Sequence, residues 1–210
     1  MVEARWAVGG EWGELVRHLE ALLRLKSFPI GIRFLKSARE LEENRWVRHI
    51  DHVTTFCQLL NIVRNSDWTV GVTKDSVPVM CASILGLTEL PDNIRDGLFR
   101  SIVWCKTKED AKKCENAIPR IPLGRHEALI MAPLVYNPFE PDMILIYGNP
   151  AQMILIINAI QFEDYERLEF HCVGESSCSD AIAQCYITGK PSLTIPCYGE
   201  RRYGHAQDDE

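Results

Sequence analysis

Cysteine is the residue in this sequence with the greatest capacity for chemistry, because eight of the 210 residues are cysteines. A cysteine thiolate is a nucleophile and a metal ligand, and the pKa of a thiol falls at the start of a helix. Cys57, Cys81 and Cys178 are each predicted to lie near a helix start. Cys197 follows a predicted strand and precedes a glycine turn, where backbone amides can point at sulfur. We refer to Cys57, Cys81, Cys178 and Cys197 as the four candidate ligands.

Four thiolates that meet at one point would suit a zinc ion or an iron–sulfur cluster of the 4Fe–4S type. The sequence has no CxxC pair, so neither a zinc-finger nor a ferredoxin-type motif is present. The fold would therefore have to assemble such a site from distant segments. The alternative for each cysteine is a buried thiol that packs as a small hydrophobic side chain.

The remaining cysteines are predicted to lie outside such a site. Cys185 is two helical turns after Cys178 and is interpreted as a packing residue, as is Cys172 within an apolar segment. Cys105 and Cys114 border a charged segment, and Cys114 is predicted to be an exposed thiol.

Two adjacent arginines, Arg201 and Arg202, follow Cys197 in the stretch YGERRYG. A planar guanidinium group can bind a carboxylate or a phosphate through two hydrogen bonds. These residues are therefore candidates for binding a small anionic molecule. The alternative is a solvated turn in which Glu200 forms a salt bridge.

Histidine offers a weaker signal, in the HxxH pair of His49 and His52 ahead of the helix that carries Cys57. Such a pair can bind a metal or act as a base for the thiol, but it is more often a polar cluster before a helix. Phosphate-loop, dinucleotide-binding, HExxH and GxSxG motifs are absent from the sequence.

The overall composition limits the class of protein. A chain that is 46% hydrophobic and 25% charged is expected to form one globular domain over residues 1–210. The net charge of -6 argues against a nucleic-acid partner. The longest apolar run is too short to cross a bilayer, and no secretion signal is recognisable. We therefore expect a cytoplasmic protein without a membrane partner, whose thiols stay reduced.

Hydrophobic periodicity predicts alternating helices and short strands, and hence an α/β or α+β fold with helices packed on a mixed sheet. Helices are predicted at 11–26, 53–65, 77–87, 91–98, 108–118, 150–162 and 176–189, the last capped by Ser176 or Ser177 and ended by Gly189. Strands are predicted at 29–36, 68–72, 101–105, 127–134, 142–148, 168–174 and 191–197.

A weak internal repeat suggests two halves, 11–118 and 125–205, separated by a break that contains proline and glycine. The order helix, strand, cysteine-bearing helix occurs once in each half, ending on Cys81 and on Cys178. A pseudo-two-fold relation would bring these two thiols to one cleft from opposite sides. Such an order also recurs by chance in α/β chains.

Taken in order, several segments resemble the family catalogued as domain of unknown function 169, across about residues 15–204. The matching segments are LRLKSFPIGIRFLK, TTFCQLL, VMCASILGL, YGNPAQMILIINA, SCSDAIA and GKPSLTIPCYGERR. The resemblance implies cysteines at the positions of the four candidate ligands, which fits a cluster-binding protein, and it implies no particular activity. After Cys81, CASILG stands where the family is richer in glycine, which would narrow the approach to a site.

Three functions are therefore considered. The first is an iron–sulfur protein, and if only three thiolates bind the cluster, the open iron could act as a Lewis acid on a small anionic substrate, for example in a desulfurisation or a dehydration. The second is a non-enzymatic binding protein for a small anionic metabolite, with packing cysteines. The third is a zinc protein or thiol redox sensor. The sequence leaves the reaction open, and also whether the chain forms a homo-oligomer.

Overall fold

The structure is a computed structural model that describes residues 11–48, 50, 52–163, 165–174 and 176–197. The α-helices are α1 (Glu11–Leu23), α2 (Ala38–Glu42), α3 (Phe56–Arg64), α4 (Val79–Ile84), α5 (Asp92–Arg95), α6 (Leu98–Val103), α7 (Lys108–Ala117), α8 (Pro150–Glu163) and α9 (Gln184–Thr188). A 3₁₀-helix covers Leu134–Tyr136, and a π-helix at Ser179–Ala183 runs directly into α9. The strands are β1 (Ile30–Leu35), β2 (Val47–Arg48), β3 (Thr69–Thr73), β4 (Ala128–Pro133) and β5 (Met143–Leu145).

The five strands form one mixed sheet in the order β2-β3-β4-β1-β5. β1 and β4 are antiparallel along their whole length, from Ile30 opposite Pro133 to Leu35 opposite Ala128. β3 is antiparallel to β4, β5 is antiparallel to β1, and only β2 pairs in parallel, with β3. The predicted α/β class with helices on a mixed sheet is therefore confirmed.

Local sequence explains the best-defined elements. Every residue of β4 is buried, as expected for a continuous apolar run at the centre of a sheet covered on both faces. α3 begins with a capping box, in which Thr55 caps the backbone N–H of Gln58 and the Gln58 side chain accepts from the N–H of Thr55. Its buried residues are Phe56, Leu59, Leu60 and Val63.

The main hydrophobic core lies between the sheet and α3, α4 and the π-helix. Ile32 of β1, Phe56 of α3, Met131 of β4 and Ile182 of the π-helix are completely buried in it. A smaller cluster, which includes Leu41 of α2, contacts another part of the sheet. The large core therefore borders all the helices that carry candidate thiols.

Two predicted strand regions have a different structure. The stretch 101–105 was predicted as a strand, but 98–103 forms α6 after Gly97, whose positive φ of 80° suits glycine at a helix start. The predicted strands 168–174 and 191–197 do not join the sheet, and between these described segments a single bridge forms, from Phe170 to Leu193. Residues 168–174, the strand expected in the second half of the internal repeat, therefore form no strand of the sheet. The division into two halves stays a prediction.

The last helical segment also differs from its prediction. It begins with Ser177 and Cys178 in α-helical conformation and continues as the π-helix, so Ser176 directly precedes it, and the predicted cap by Ser176 or Ser177 stays a prediction. Gly189 ends α9 in the left-handed conformation, as predicted. None of the helices among the described residues has the length and apolar character that crossing a bilayer requires.

Candidate functional site

The segments that carry Cys57 and Cys81 meet at their starts. The backbone N–H of Thr54, just ahead of α3, donates to the carbonyl of Ser76, just ahead of α4, at 3.0 Å. Cys57 is the second residue of α3 and Cys81 the third residue of α4, and both are half-buried. The two thiols predicted at helix starts are therefore found there, on helices whose beginnings adjoin.

The other two candidate ligands are also joined through the backbone. The N–H of Cys197 donates to the hydroxyl oxygen of Ser177 at 3.1 Å, so Cys197 lies beside the residue that precedes Cys178. Both cysteines are 5% exposed. Cys178 belongs to the main core, and Cys81 packs against that core from its border.

A small cleft lies between Cys178 and helix α3. It has a volume of about 90 Å³ and is lined by Leu60, Tyr147, Ser177, Cys178 and Thr194, among others. Leu60 lies one helical turn after Cys57. The cleft therefore has Cys178 in its wall and the α3 helix of Cys57 on its border.

The described residues contain no group of three or more histidine, cysteine, aspartate or glutamate side chains placed to hold a metal ion. Each of the four candidate ligands nevertheless interacts with neighbouring groups. The structure thus gathers their segments around one core without bringing their sulfur atoms to a single point.

The other four cysteines differ in their surroundings. Cys172 is exposed, so its prediction as a packing residue is corrected, and Cys114 is half-buried, so its prediction as an exposed thiol is corrected. Burial raises the pKa of the thiols of Cys114 and Cys185 and so disfavours their thiolates. No disulfide joins any of the eight cysteines, all of which lie in the described part of the chain.

Most residues of the predicted arginine and histidine sites lie outside the described residues. Arg201 and Arg202 fall outside the described residues, as do His49 and Asp51. His52 is described and is exposed.

The turn before Cys178 is held by a buried ionic network that the sequence does not reveal. Arg100 of α6 and Glu115 of α7 form an ion pair, and both side chains are 1% exposed. Arg120 pairs with the other oxygen of the same carboxylate. The guanidinium of Arg100 also donates to the hydroxyl oxygen of Ser176 at 3.2 Å. The only local signal is an arginine inside the apolar run LFRSIV.

Ser176 has an unusual backbone conformation, with a φ of 129°. Such a conformation favours glycine, and a residue that holds it against strain often borders a functional site. Arg100 therefore anchors a strained turn two residues before a candidate ligand.

Asp180 is a buried carboxyl group in the π-helix, two residues after Cys178. It accepts a hydrogen bond from the N–H of Val173 at 2.9 Å. Burial raises the pKa of Asp180, and the hydrogen bond from Val173 opposes that effect. π-helices are common at functional sites, and a carboxyl group with a raised pKa can take up or release a proton. Sequence reasoning missed Asp180 because its burial depends on distant segments.

Comparison with known proteins identifies the family. The model of domain of unknown function 169, described as an uncharacterised ArCR family, matches residues 18–210. The chain belongs to this DUF169 family. The chain is also 27% identical to the relative named Uncharacterized protein MJ0308 of Methanocaldococcus jannaschii, over 203 aligned residues that cover 94% of this chain and 85% of the relative. No solved structure matches the chain. The resemblance to this family, which was inferred from the order of several sequence segments, is therefore confirmed.

Proposed function

We propose that this DUF169 chain is a cytosolic protein that binds an iron–sulfur cluster of the 4Fe–4S type through the four candidate ligands. The observation that carries the proposal is the grouping of four thiols, far apart in the sequence, into two sets whose segments are each joined by a hydrogen bond from a backbone N–H group. The Thr54–Ser76 hydrogen bond joins the helices of one set, and the Cys197–Ser177 hydrogen bond joins the other. A reducing compartment would keep these thiols available for iron.

The chemistry of the donors favours a cluster over a single ion. A zinc ion requires its sulfur donors at about 2.3 Å from one point, and the described side chains offer no such group. The four thiolates of a cluster each bind a different iron atom, so they need not converge on one point. The backbone N–H groups at the start of α3 also favour negative charge nearby. These features support the cluster over the zinc alternative.

A bound cluster would supply electron transfer or, with one iron free of cysteine, a Lewis-acid site. The protein itself would contribute a proton-holding group and an anion-binding group. The Asp180 carboxyl, two residues after Cys178, can hold a proton because burial raises its pKa. Arg201 and Arg202 are the proposed ligands for a small anionic substrate, on the basis of the sequence.

The decisive experiment is anaerobic purification followed by iron and sulfide analysis and absorption spectroscopy. We expect a brown protein with about four irons per chain. The variants C81S and C178S should lose most of the iron and colour. The matched control C185S changes a half-buried cysteine on the helix that follows Cys178 and should retain both.

Three outcomes would contradict the proposal. They are a colourless protein after anaerobic reconstitution, a stoichiometric zinc content, and a C81S variant that keeps the iron content of the wild type. Loss of iron in C185S alone would show that the ligands were wrongly chosen.

A second candidate function is a binding protein for a small anionic molecule, with cysteines that only pack. The hydroxyl group of Thr194 in the wall of the cleft favours it, because a hydroxyl can donate a hydrogen bond to an anion. Calorimetry of the iron-free protein with phosphate and with short carboxylates tests this candidate. Binding that survives in C81S but is lost in an R201A/R202A variant would support it over the cluster.

A further inference from the structure

Helix α8 is apolar around most of its circumference, yet none of its side chains is fully buried. Its inner face lines a groove of about 200 Å³ beside β5, through Met153, Ile156, Ile157 and Ile160. Its opposite face remains in contact with solvent. A helix that is hydrophobic on all sides is normally covered on all sides. α8 therefore lacks a covering layer within the described chain.

The exposed residues form a continuous stripe, which we call the outer face of α8. Its large members are Ile154, Leu155 and Phe162, which are 51%, 53% and 87% exposed. The outer face consists of Ala151, Ile154, Leu155, Asn158, Ala159 and Phe162. These positions recur at the spacing at which one helix contacts another.

We propose that the outer face of α8 packs against the outer face of α8 in a second copy of this chain, antiparallel and about a two-fold axis. Such an interface uses the same surface on both copies, so a residue that contacts another is contacted by it in return.

The sizes of the side chains on the outer face suit this arrangement. A two-fold axis midway between Leu155 and Asn158 places Leu155 opposite Asn158 of the second copy. The same axis places Ile154 opposite Ala159 and Ala151 opposite Phe162. Each large side chain then meets a smaller one, which lets two helices approach to the usual distance of about 8–10 Å. A parallel arrangement would instead set Leu155 against Leu155 and Phe162 against Phe162.

The charge of the helix favours a second copy over a membrane surface. Residues 150–162 contain no aspartate, glutamate, lysine or arginine. A neutral face can meet its own copy without repulsion. Helices that lie on membranes usually carry lysine and arginine that attract anionic lipids, and this helix has none in a chain of net charge -6.

Two exposed aromatic side chains, Phe162 on the outer face and Tyr165 just beyond the end of α8, supply part of the apolar area that a dimer requires. Phe162 is 87% exposed, and Tyr165 is 79% exposed three residues further along. A buried aromatic side chain covers about 150–250 Å², so these two rings expose on the order of 300 Å². A stable interface buries about 800 Å² on each partner. The two rings alone would thus supply about a third of that area.

The test is sedimentation velocity of the full chain over a range of concentrations. We expect a dimer for the wild type and a monomer for L155E, whose dimer dissociation constant should rise at least about tenfold because a carboxylate would be buried in the interface. The matched control I102E changes an apolar side chain of α6 that is 74% exposed, and it should remain dimeric. Circular dichroism confirms that L155E is folded.

A double variant tests the antiparallel arrangement itself. In L155E/N158K each new carboxylate faces a new ammonium group of the second copy, so the dimer should return and should weaken as salt is added. A monomeric wild type, a dimeric L155E, a monomeric I102E or a double variant that stays monomeric would each overturn the proposal. Binding of a monomeric wild type to lipid vesicles would overturn it in favour of a membrane surface.

Discussion

Arg100 and Glu115 form a buried ion pair that joins α6 to α7, and the same guanidinium reaches Ser176 ahead of Cys178. Arg120 shares the carboxylate, so two cations and one anion lie together. Burial lowers the pKa of Arg120, in keeping with this excess of positive charge. The Glu115 carboxylate thus joins α6 to α7, and the Arg100 guanidinium joins α6 to the turn before Cys178.

We expect the E115A variant to lose about 3–5 kcal/mol of its free energy of unfolding, because removing one partner leaves buried charge uncompensated. Urea denaturation measures this loss. The control is K112A, which removes an exposed ion pair with Asp96 and should cost less than about 1 kcal/mol. Similar losses in the two variants would mean that the buried network contributes little to stability.

Ser176 permits a test that separates its hydrogen bond from its backbone strain. S176A removes the acceptor for Arg100 and keeps the strained φ, so it should lose about 1.5–3 kcal/mol of unfolding free energy. S176G removes the same acceptor but relieves the strain. We therefore expect S176G to be more stable than S176A by about 1 kcal/mol in urea denaturation. An S176G variant less stable than S176A would show that the backbone there is unstrained.

Gly97 is expected to tolerate no side chain. Its φ is 80°, and an added Cβ atom would lie 2.4 Å from the backbone nitrogen of Lys112. G97A should therefore separate α6 from α7 and lower the unfolding free energy by more than about 3 kcal/mol. Gly124 is the matched control, because it has the same φ of 80° and nothing within 4 Å of an added Cβ. G124A should cost only about 1–2 kcal/mol, and equal costs would contradict the expected clash.

His126 is expected to make stability depend on pH. Its Nε2–H donates to the carbonyl of Leu85 at 2.7 Å, and burial lowers its pKa from 6.5. The folded state therefore binds fewer protons than the unfolded state as the pH falls through about 6.5. Its contribution to the free energy of unfolding is present above that pH and declines below it, until the folded-state pKa is reached.

The measurement is urea denaturation of the wild type and of H126Q at pH 7.5 and 5.5. The glutamine amide can keep a donor near Leu85 but does not titrate. We expect a smaller loss of stability between the two pH values in H126Q than in the wild type. Because burial raises the pKa of Asp180, its effect has the opposite sign, and D180N serves as the second comparison. Equal losses in H126Q and the wild type would assign the pH dependence to other groups.

Local signals were sufficient to predict part of this fold. The spacing of Phe56, Leu59 and Val63 places the predicted helix 53–65 within a few residues of the observed bounds of α3. The same reasoning failed at α6, because a short apolar run fits a strand or a helix equally well. There the pairing of Arg100 with Glu115 on α7 is a non-local contact that no periodicity reveals.

The candidate site, too, could be predicted from local sequence only in part. That Cys57 and Cys81 lie early in helices follows from their immediate neighbours in the sequence. That those helices start side by side depends on the Thr54–Ser76 hydrogen bond, which joins segments on either side of β3. The burial of Asp180 likewise depends on contacts with Val173 and Ser192 that lie outside its helix.

The two outermost strands of the sheet are very short, with two residues in β2 and three in β5. A short border offers few unpaired backbone groups to another polypeptide, which hinders the strand-to-strand addition that leads to fibrils. Self-association of this molecule through its described sheet is thus limited by architecture, and contact between copies, as proposed for the outer face of α8, would use side chains on helices.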